Sequence, residues 1–347
     1  MVLVERGKRL ATILEYTECL SPKEVTVDGV EWNQYGMYAG SDKDVLLAVQ
    51  SSPHNYRLMP GPEFSPRLYR GQNCYYSLCQ PTLFRKPRLP PLFAFLKLRE
   101  LGFILSQHPA VRAICSFTIE GLWFDFDVEA IGQHYGYATP LLDFSRSRDV
   151  ALFFATCVKD PTTGRYAPMK SGTAALYTAY LKELVQQRGD RAFLPLGFEP
   201  LPRPYEQKAM AVRLRKGENL NEMTWVKCDR IDVTLDQSQK YFDMFDGGSK
   251  LFSPHPFEAF IDRHMASRSI CRSTISFAAE QNALPKAMTA KEVEDKLSIA
   301  GFSLADDDKV IVVSEDIIRD ANLHWQALAA EFNSKLRLRG VSPHFSG

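Results

Sequence analysis

The sequence shows no excess of either charge, no long apolar run and no paired cysteines, and each absence removes a class of protein. Forty-two Lys and Arg against 41 Asp and Glu leave a net charge of +1 over 347 residues, so no global field draws the chain to a polyanion. A local basic groove stays open. Apolar runs such as Val150–Phe154 and Val310–Val313 fall far short of the roughly 20 residues that span a bilayer. The first 16 residues mix Glu5, Arg6, Lys8, Arg9 and Glu15, which is not the pattern of a secretory signal. A cytoplasmic protein with no membrane partner is expected. The seven cysteines (Cys19, Cys74, Cys79, Cys115, Cys157, Cys228, Cys271) are odd in number and form no C-x-x-C pair, so reduced thiols are expected rather than a disulfide frame or a local zinc site. The seven histidines (His54, His108, His134, His255, His264, His324, His344) never pair at short helical spacing. Walker-type, H-E-x-x-H, G-x-S-x-G and G-x-G-x-x-G motifs are missing as well.

What remains is 45% hydrophobic and 24% charged, the balance of a globular chain, without repeats or low-complexity tracts. Residues 21–60 read as short β elements, with Val25, Val27 and Val30 around an Asp28-Gly29 turn signal. Pro53, Pro60, Pro62 and Pro66 then deliver the chain to Leu68-Tyr69-Arg70-Gly71-Gln72. Residues 92–106 and 110–131 read as two buried helices. Leu141-Leu142-Asp143 predicts a brief strand, and Ser145, Ser147 and Asp149 offer caps for a helix through Val150–Thr156. Residues 173–180 suit a strand. Residues 184–204, with Pro195, Pro200, Pro202 and Pro204, read as a long loop.

Toward the end, Thr289-Ala-Lys-Glu292 is a capping box opening a helix that ends at Gly301. Val310–Val313 predicts a buried strand. Ile317, Ala321, Trp325, Leu328, Phe332 and Leu336 mark the core stripe of a last helix stopped by Gly340. Strands and helices interleave irregularly, so the fold class is mixed α+β. The expected division is an N-terminal β-rich extension over 1–60 and an α+β domain over 61–347 with a helical insertion at 91–131.

Two clusters carry chemistry. In the first, Arg70 followed by Gly71 sets a permanently charged fork beside open backbone, suited to gripping a phosphate or carboxylate; a surface arginine at a turn would look the same. Gln80-Pro81-Thr82-Leu83-Phe84-Arg85 echoes it. The second runs from Gln133-His134-Tyr135-Gly136-Tyr137 through Thr139-Pro140-Leu141-Leu142-Asp143-Phe144-Ser145. So many polar groups between apolar helices form either a satisfied structural network or a ligand pocket, because each unsatisfied buried polar atom costs about 1–3 kcal/mol.

At these clusters the sequence resembles the FRG domain family, named for its aromatic-Arg-Gly opening. Tyr69-Arg70-Gly71-Gln72 matches that opening; Gln133-His134-Tyr135-Gly136, Thr139, Leu141-Leu142-Asp143 and Ala151-Leu152-Phe153-Phe154-Ala155 match the second block in order. The resemblance spans roughly residues 60–345 and departs at Pro140, where members usually carry a basic residue, so a second cationic contact is expected to be either missing or displaced to Arg146 or Arg148. The motif order also resembles that of ADP-ribosyltransferases, which implies a split-sheet core with flanking helices. Arg70 would then be the first element, Asp143-Phe144-Ser145 the second, and Glu206-Gln207 the third. The resemblance implies catalytic Arg70, Asp143 and Glu206. It implies binding of NAD by Tyr69, Gly71, Gln72, Gln133, His134, Tyr135, Thr139, Ser145 and Gln207, with Tyr135 or Tyr137 stacking on a base, Thr139 or Ser145 on a ribose, and no metal.

Three functions remain in view. The first is an NAD-dependent mono-ADP-ribosyltransferase-like enzyme, in the setting of a bacterial toxin or anti-phage effector, with a protein or nucleic-acid acceptor and an antitoxin or other regulatory partner. The second is a non-catalytic nucleotide or nucleic-acid binding module using Arg70, Arg85, Arg88, Arg213, Arg215 and Lys216 with Tyr75 and Tyr76 for stacking. The third is a hydrolase or nuclease built on Asp143 with His134 and other carboxylates.

Overall fold

The structure, a computed structural model, describes residues 19–27, 30–37, 46–52, 55–60, 67–85, 90–116, 118–119, 122–188, 193–195, 199–285, 288–335 and 340–342. The strands are β1 Cys19–Val27, β2 Val30–Met37, β3 Leu46–Ser52, β4 Asn55–Pro60, β5 Arg67–Gln72, β6 Thr118–Ile119, β7 Leu122–Phe124, β8 Leu141–Ser145, β9 Cys157–Lys159, β10 Tyr166–Pro168, β11 Ser171–Tyr180, β12 Phe193–Pro195, β13 Ala209–Arg213, β14 Val226–Thr234, β15 Ser269–Cys271, β16 Ser303–Ala305 and β17 Gly340–Ser342. The helices are α1 Pro91–Ser106, α2 Pro109–Cys115, α3 Val128–His134, α4 Arg148–Thr156, α5 Leu181–Arg188, α6 Pro202–Glu206, α7 Leu235–Met244, α8 Glu258–Ala266, α9 Arg272–Glu280, α10 Ala290–Ile299 and α11 Glu315–Lys335. The fold is α+β.

A six-stranded sheet in the order β12-β13-β8-β5-β11-β14 carries the site, and its neighbours all run antiparallel. It is parted in the middle. β5 pairs with β11 along its whole length, but with β8 only through Tyr69 and Ser145. Leu68, Leu142, Phe144, Tyr177, Met210, Val212 and Trp225 fill one face, each large apolar side chain contributing about 1.5–3 kcal/mol on burial. Against the other face lies α4, whose Ala151 and Leu152 pack with Leu176 and Tyr69. Two helical cores adjoin the sheet. One joins α1, α3 and α8 through Leu101, Ile104, Ile131, Tyr137, Phe257 and Ile261; the other joins α1, α9 and α10 through Phe93, Leu96, Ile275, Val293 and Leu297.

The β elements expected over 21–60 are β1 to β4, with Val27 opposite Val30; Asp28 and Gly29 lie outside the described residues. They belong to a second sheet, β1-β2-β17-β3-β4-β7-β6, which also takes strands from residues 118–124 and 340–342. The capping box of Thr289 and Glu292 opens α10 as expected, and Ser147 is the cap of α4.

Four expectations are corrected. The helix read over 110–131 ends at Cys115; β-branched Thr118 and Ile119 and aromatic Trp123 and Phe124 pair as β6 and β7 instead. The proline-rich 184–204 is not a loop throughout. Pro202 opens α6, where a missing N–H costs nothing, and Pro195 ends β12, an edge strand that tolerates it. The strand read at 310–313 does not form: Val310 closes a 3-10 turn over Asp308–Val310 capped by Ile311, and the segment bonds a side chain, with Gln107 Nε2 donating to Ile311 O at 2.7 Å and Gln107 Oε1 accepting from Val313 N at 3.0 Å. Finally, among the described side chains the stripe on α11 is most buried at its start and opens to solvent along the helix. Ala321 is buried, Trp325 half-buried and Leu328 exposed, while the Phe332 side chain and Leu336 lie outside the described residues.

Candidate functional site

Gly71 explains the aromatic-Arg-Gly opening from below. A Cβ at that position would sit 1.7 Å from the carbonyl oxygen of Ala151 and 2.8 Å from the amide nitrogen of Ala155. The glycine therefore lets α4 lie directly on the backbone of β5. Its neighbour Arg70 reaches across the parting of the sheet, where Nη1 donates to the carbonyl of Asp143 at 2.8 Å. Arg70 Nε is buried without a hydrogen-bond partner.

The second cluster builds a frame around the Asp143 carboxylate. Thr139, fully buried, accepts from Leu141 N at 3.2 Å and donates to Gln133 Oε1. Gln133 Nε2 donates onward to Asp143 Oδ2 at 3.4 Å. His134, whose side chain is 3% exposed, brings Nε2 to 3.7 Å from Asp143 Oδ1, too long for a hydrogen bond. Both of those atoms are buried without a hydrogen-bond partner. On its other side, His134 Nδ1 meets Gln207 Oε1 at 3.0 Å. Ser145 ties the frame to α4 and α6: its hydroxyl donates to Gln207 O at 2.8 Å and accepts from Ser147 N at 3.0 Å.

These groups open onto one cleft of about 590 Å³ at the parting of the sheet. Among the expected residues, Tyr69, Arg70, Gly71, Gln72, Gln133, His134, Asp143, Ser145 and Gln207 all line it. Its charged lining is Arg70, Arg85 and Lys159 against the carboxylate of Asp143, a surplus of cations that favours an anionic ligand. Arg85 is aimed by its Nε, which donates to Gln80 O at 2.8 Å.

Other expected residues are elsewhere. Thr139 serves from underneath and is not in the lining, and the Ser145 hydroxyl is occupied by backbone partners. Tyr135 and Tyr137 are buried away from the cleft: the Arg203 guanidinium stacks on Tyr135 at 4.4 Å, and Tyr137 OH donates to His264 Nδ1 at 2.6 Å. Burial raises the pKa of both phenols. Glu206 is not in the lining either; its Oε2 accepts from Ser253 N at 3.0 Å. The displaced cation is neither Arg146, which is buried with Nε donating to Lys208 O at 3.2 Å, nor exposed Arg148. Arg88 lies outside the described residues, and Arg213 is paired with Glu129.

Sequence reading missed Lys159, Tyr166 and Phe252. Tyr166 and Phe252 stack 5.4 Å apart in the cleft wall, with Lys159 Nζ 5.9 Å from each ring. Burial pushes the Tyr166 phenol up to about 12 and the Cys157 thiol up to about 11, so both line the cleft in neutral form. No local motif announces these residues; tertiary packing alone brings them into the same cleft lining as Arg70. Among the described residues, no group of three or more His, Cys, Asp or Glu is placed to hold a metal, no helix is long and apolar enough to cross a membrane, and Cys74, Cys79, Cys115, Cys157, Cys228 and Cys271 are free thiols.

No curated protein and no solved structure matches the chain. A family model does match, from the start of β5 to just beyond β9, the stretch that supplies Arg70, His134 and Asp143: residues 65–163 match the model of the FRG domain.

Proposed function

We propose that the cleft binds NAD and that the protein transfers the ADP-ribose unit to an acceptor. One observation carries the reading. A framed carboxylate oxygen, Asp143 Oδ1, is left without a hydrogen-bond partner in a cleft whose other charges are Arg70, Arg85 and Lys159. Cleavage of the nicotinamide–ribose bond develops positive charge on the sugar, and a fixed carboxylate stabilises it without reorganising. Arginine forks suit a pyrophosphate, and the rings of Tyr76, Phe154, Tyr166 and Phe252 in the lining offer faces for a base. In this reading the carboxylate is Asp143, and Glu206 is a backbone anchor.

Incubation with NAD tests the proposal, scored for free nicotinamide and for label on protein or nucleic acid. Nicotinamide release that depends on Arg70 and Asp143 supports it. No release with any acceptor, together with no melting shift on adding NAD, ends it. A second reading, nucleotide binding without chemistry, is favoured by the structural bond from Arg70 to the Asp143 carbonyl. A melting shift with NAD and no nicotinamide marks that outcome.

A further inference from the structure

The hydrogen bonds of Gln207 determine which nitrogen of His134 carries the proton. Gln207 Nε2 donates to the carbonyl of Leu251 at 3.1 Å, an acceptor only, so the atom 3.0 Å from His134 Nδ1 is the amide oxygen Oε1. That oxygen accepts only, so Nδ1 bears the hydrogen. In the neutral ring the lone pair is then on Nε2, which is buried, without a hydrogen-bond partner and 3.7 Å from Asp143 Oδ1. Two acceptors thus lie 3.7 Å apart on residues that line the cleft. A group that donates a proton satisfies both, and a protonated Nε2 left by its transfer lies beside a carboxylate.

We infer that His134 is the general base of the transfer, that Gln207 is the residue positioning it, and that the acceptor is a hydroxyl. The inference rests on the NAD reading above and names its acceptor chemistry. As the acceptor oxygen forms its bond to C1′ of the ribose, the bond from C1′ to the nicotinamide nitrogen breaks. Nicotinamide leaves with that electron pair as a neutral molecule, and the hydroxyl proton passes to Nε2. An ammonium or guanidinium acceptor would meet Arg70, Arg85 and Lys159. A carboxylate acceptor has no proton to give and would face the Asp143 oxygen. Asp143 of β8 and Gln207 after α6 face the ring itself, while Arg70 of β5 bonds the Asp143 carbonyl and Arg203 of α6 donates from Nη1 to the His134 carbonyl at 3.3 Å.

The test pairs a spectroscopic readout with a kinetic one. Nitrogen-15 NMR of the unaltered protein is expected to show His134 with the proton on Nδ1 at neutral pH, and Gln207→Leu to lose that preference. With NAD and either methanol or agmatine as acceptor, mass spectrometry is expected to find methyl ADP-ribose and no guanidine adduct. His134→Asn is expected to lower kcat at least a hundredfold, and Gln207→Leu about tenfold, with NAD affinity held within about twofold. Gln207→Glu keeps an acceptor at Nδ1 and stabilises the imidazolium, so the acidic limb of the kcat profile moves to higher pH. A proton on Nε2, an agmatine adduct, or full activity in His134→Asn overturns the inference. Nicotinamide release that survives His134→Asn fails this inference alone, whereas no release by the unaltered protein fails the NAD reading with it.

Discussion

The segment from Gln133 to Asp143 feeds two polar networks that differ in one respect. On its buried side Tyr137 OH donates to His264 Nδ1, and His264 Nε2 donates to Glu100 Oε2 at 2.8 Å. Glu100 Oε1 accepts from Cys271 N at 2.7 Å, and Lys97 reaches His264 O, Ser267 Oγ and Glu100. Every member has partners. On its cleft side, Arg70 Nε, His134 Nε2 and Asp143 Oδ1 have no hydrogen-bond partner. Two residue types, a histidine and a carboxylate, are closed in one network and open in the other. A closed network fixes α1, α8 and β15 to one another; an open one facing a cleft keeps its hydrogen-bonding capacity for a ligand. Stability should therefore reside on the closed side and binding on the open side.

The sharpest break of that division is Gly71→Val. Its side chain meets the Ala151 carbonyl and forces β5 from α4, at an expected cost above about 4 kcal/mol in urea denaturation, so it removes both networks together. Glu100→Ala strikes the closed side alone, leaving Lys97 and His264 without their carboxylate, and is expected to cost about 3 kcal/mol. Acid should act on another buried contact, the His108–His255 pair. Burial, the largest cause, lowers His108 to about 3 and His255 to about 4, and the two rings meet at 3.3 Å. Below about pH 6.5 the unfolded chain binds protons that these folded histidines refuse. Stability should therefore fall with pH down to about 4, by about 1.4 kcal/mol per unit for each fully linked histidine. Melting curves across that window check it, and His108→Gln should flatten the slope. Asp143→Asn should change stability least, by under about 1 kcal/mol. A large destabilisation there would place Asp143 with the closed network.

The sequence made the local frame legible and left the cleft wall dark. Capping at Thr289 and Ser147, the Val27–Val30 hairpin and the strand at Leu141 follow from short-range rules, and Arg70, His134 and Asp143 stand inside motifs that name themselves. Gly71 was legible as a special residue but for another reason: it admits a helix rather than a ligand. The apolar run 310–313 looks like a strand but begins in a 3-10 turn and bonds the Gln107 side chain, and 184–204 looks like a loop because proline at a helix start resembles proline in a loop. Glu206 and Gln207 adjoin in sequence, yet only the glutamine lines the cleft, and periodicity does not decide which neighbour turns inward. Lys159, Tyr166 and Phe252 needed the pairing of β9 with β10 and the chain after α7 before they met.

The most direct measurement compares nicotinamide release from NAD by Asp143→Asn and Glu206→Gln beside the unaltered protein. The account predicts at least a hundredfold loss in Asp143→Asn and a rate within about twofold in Glu206→Gln. The reverse pattern, with Glu206 indispensable and Asp143 dispensable, would contradict it.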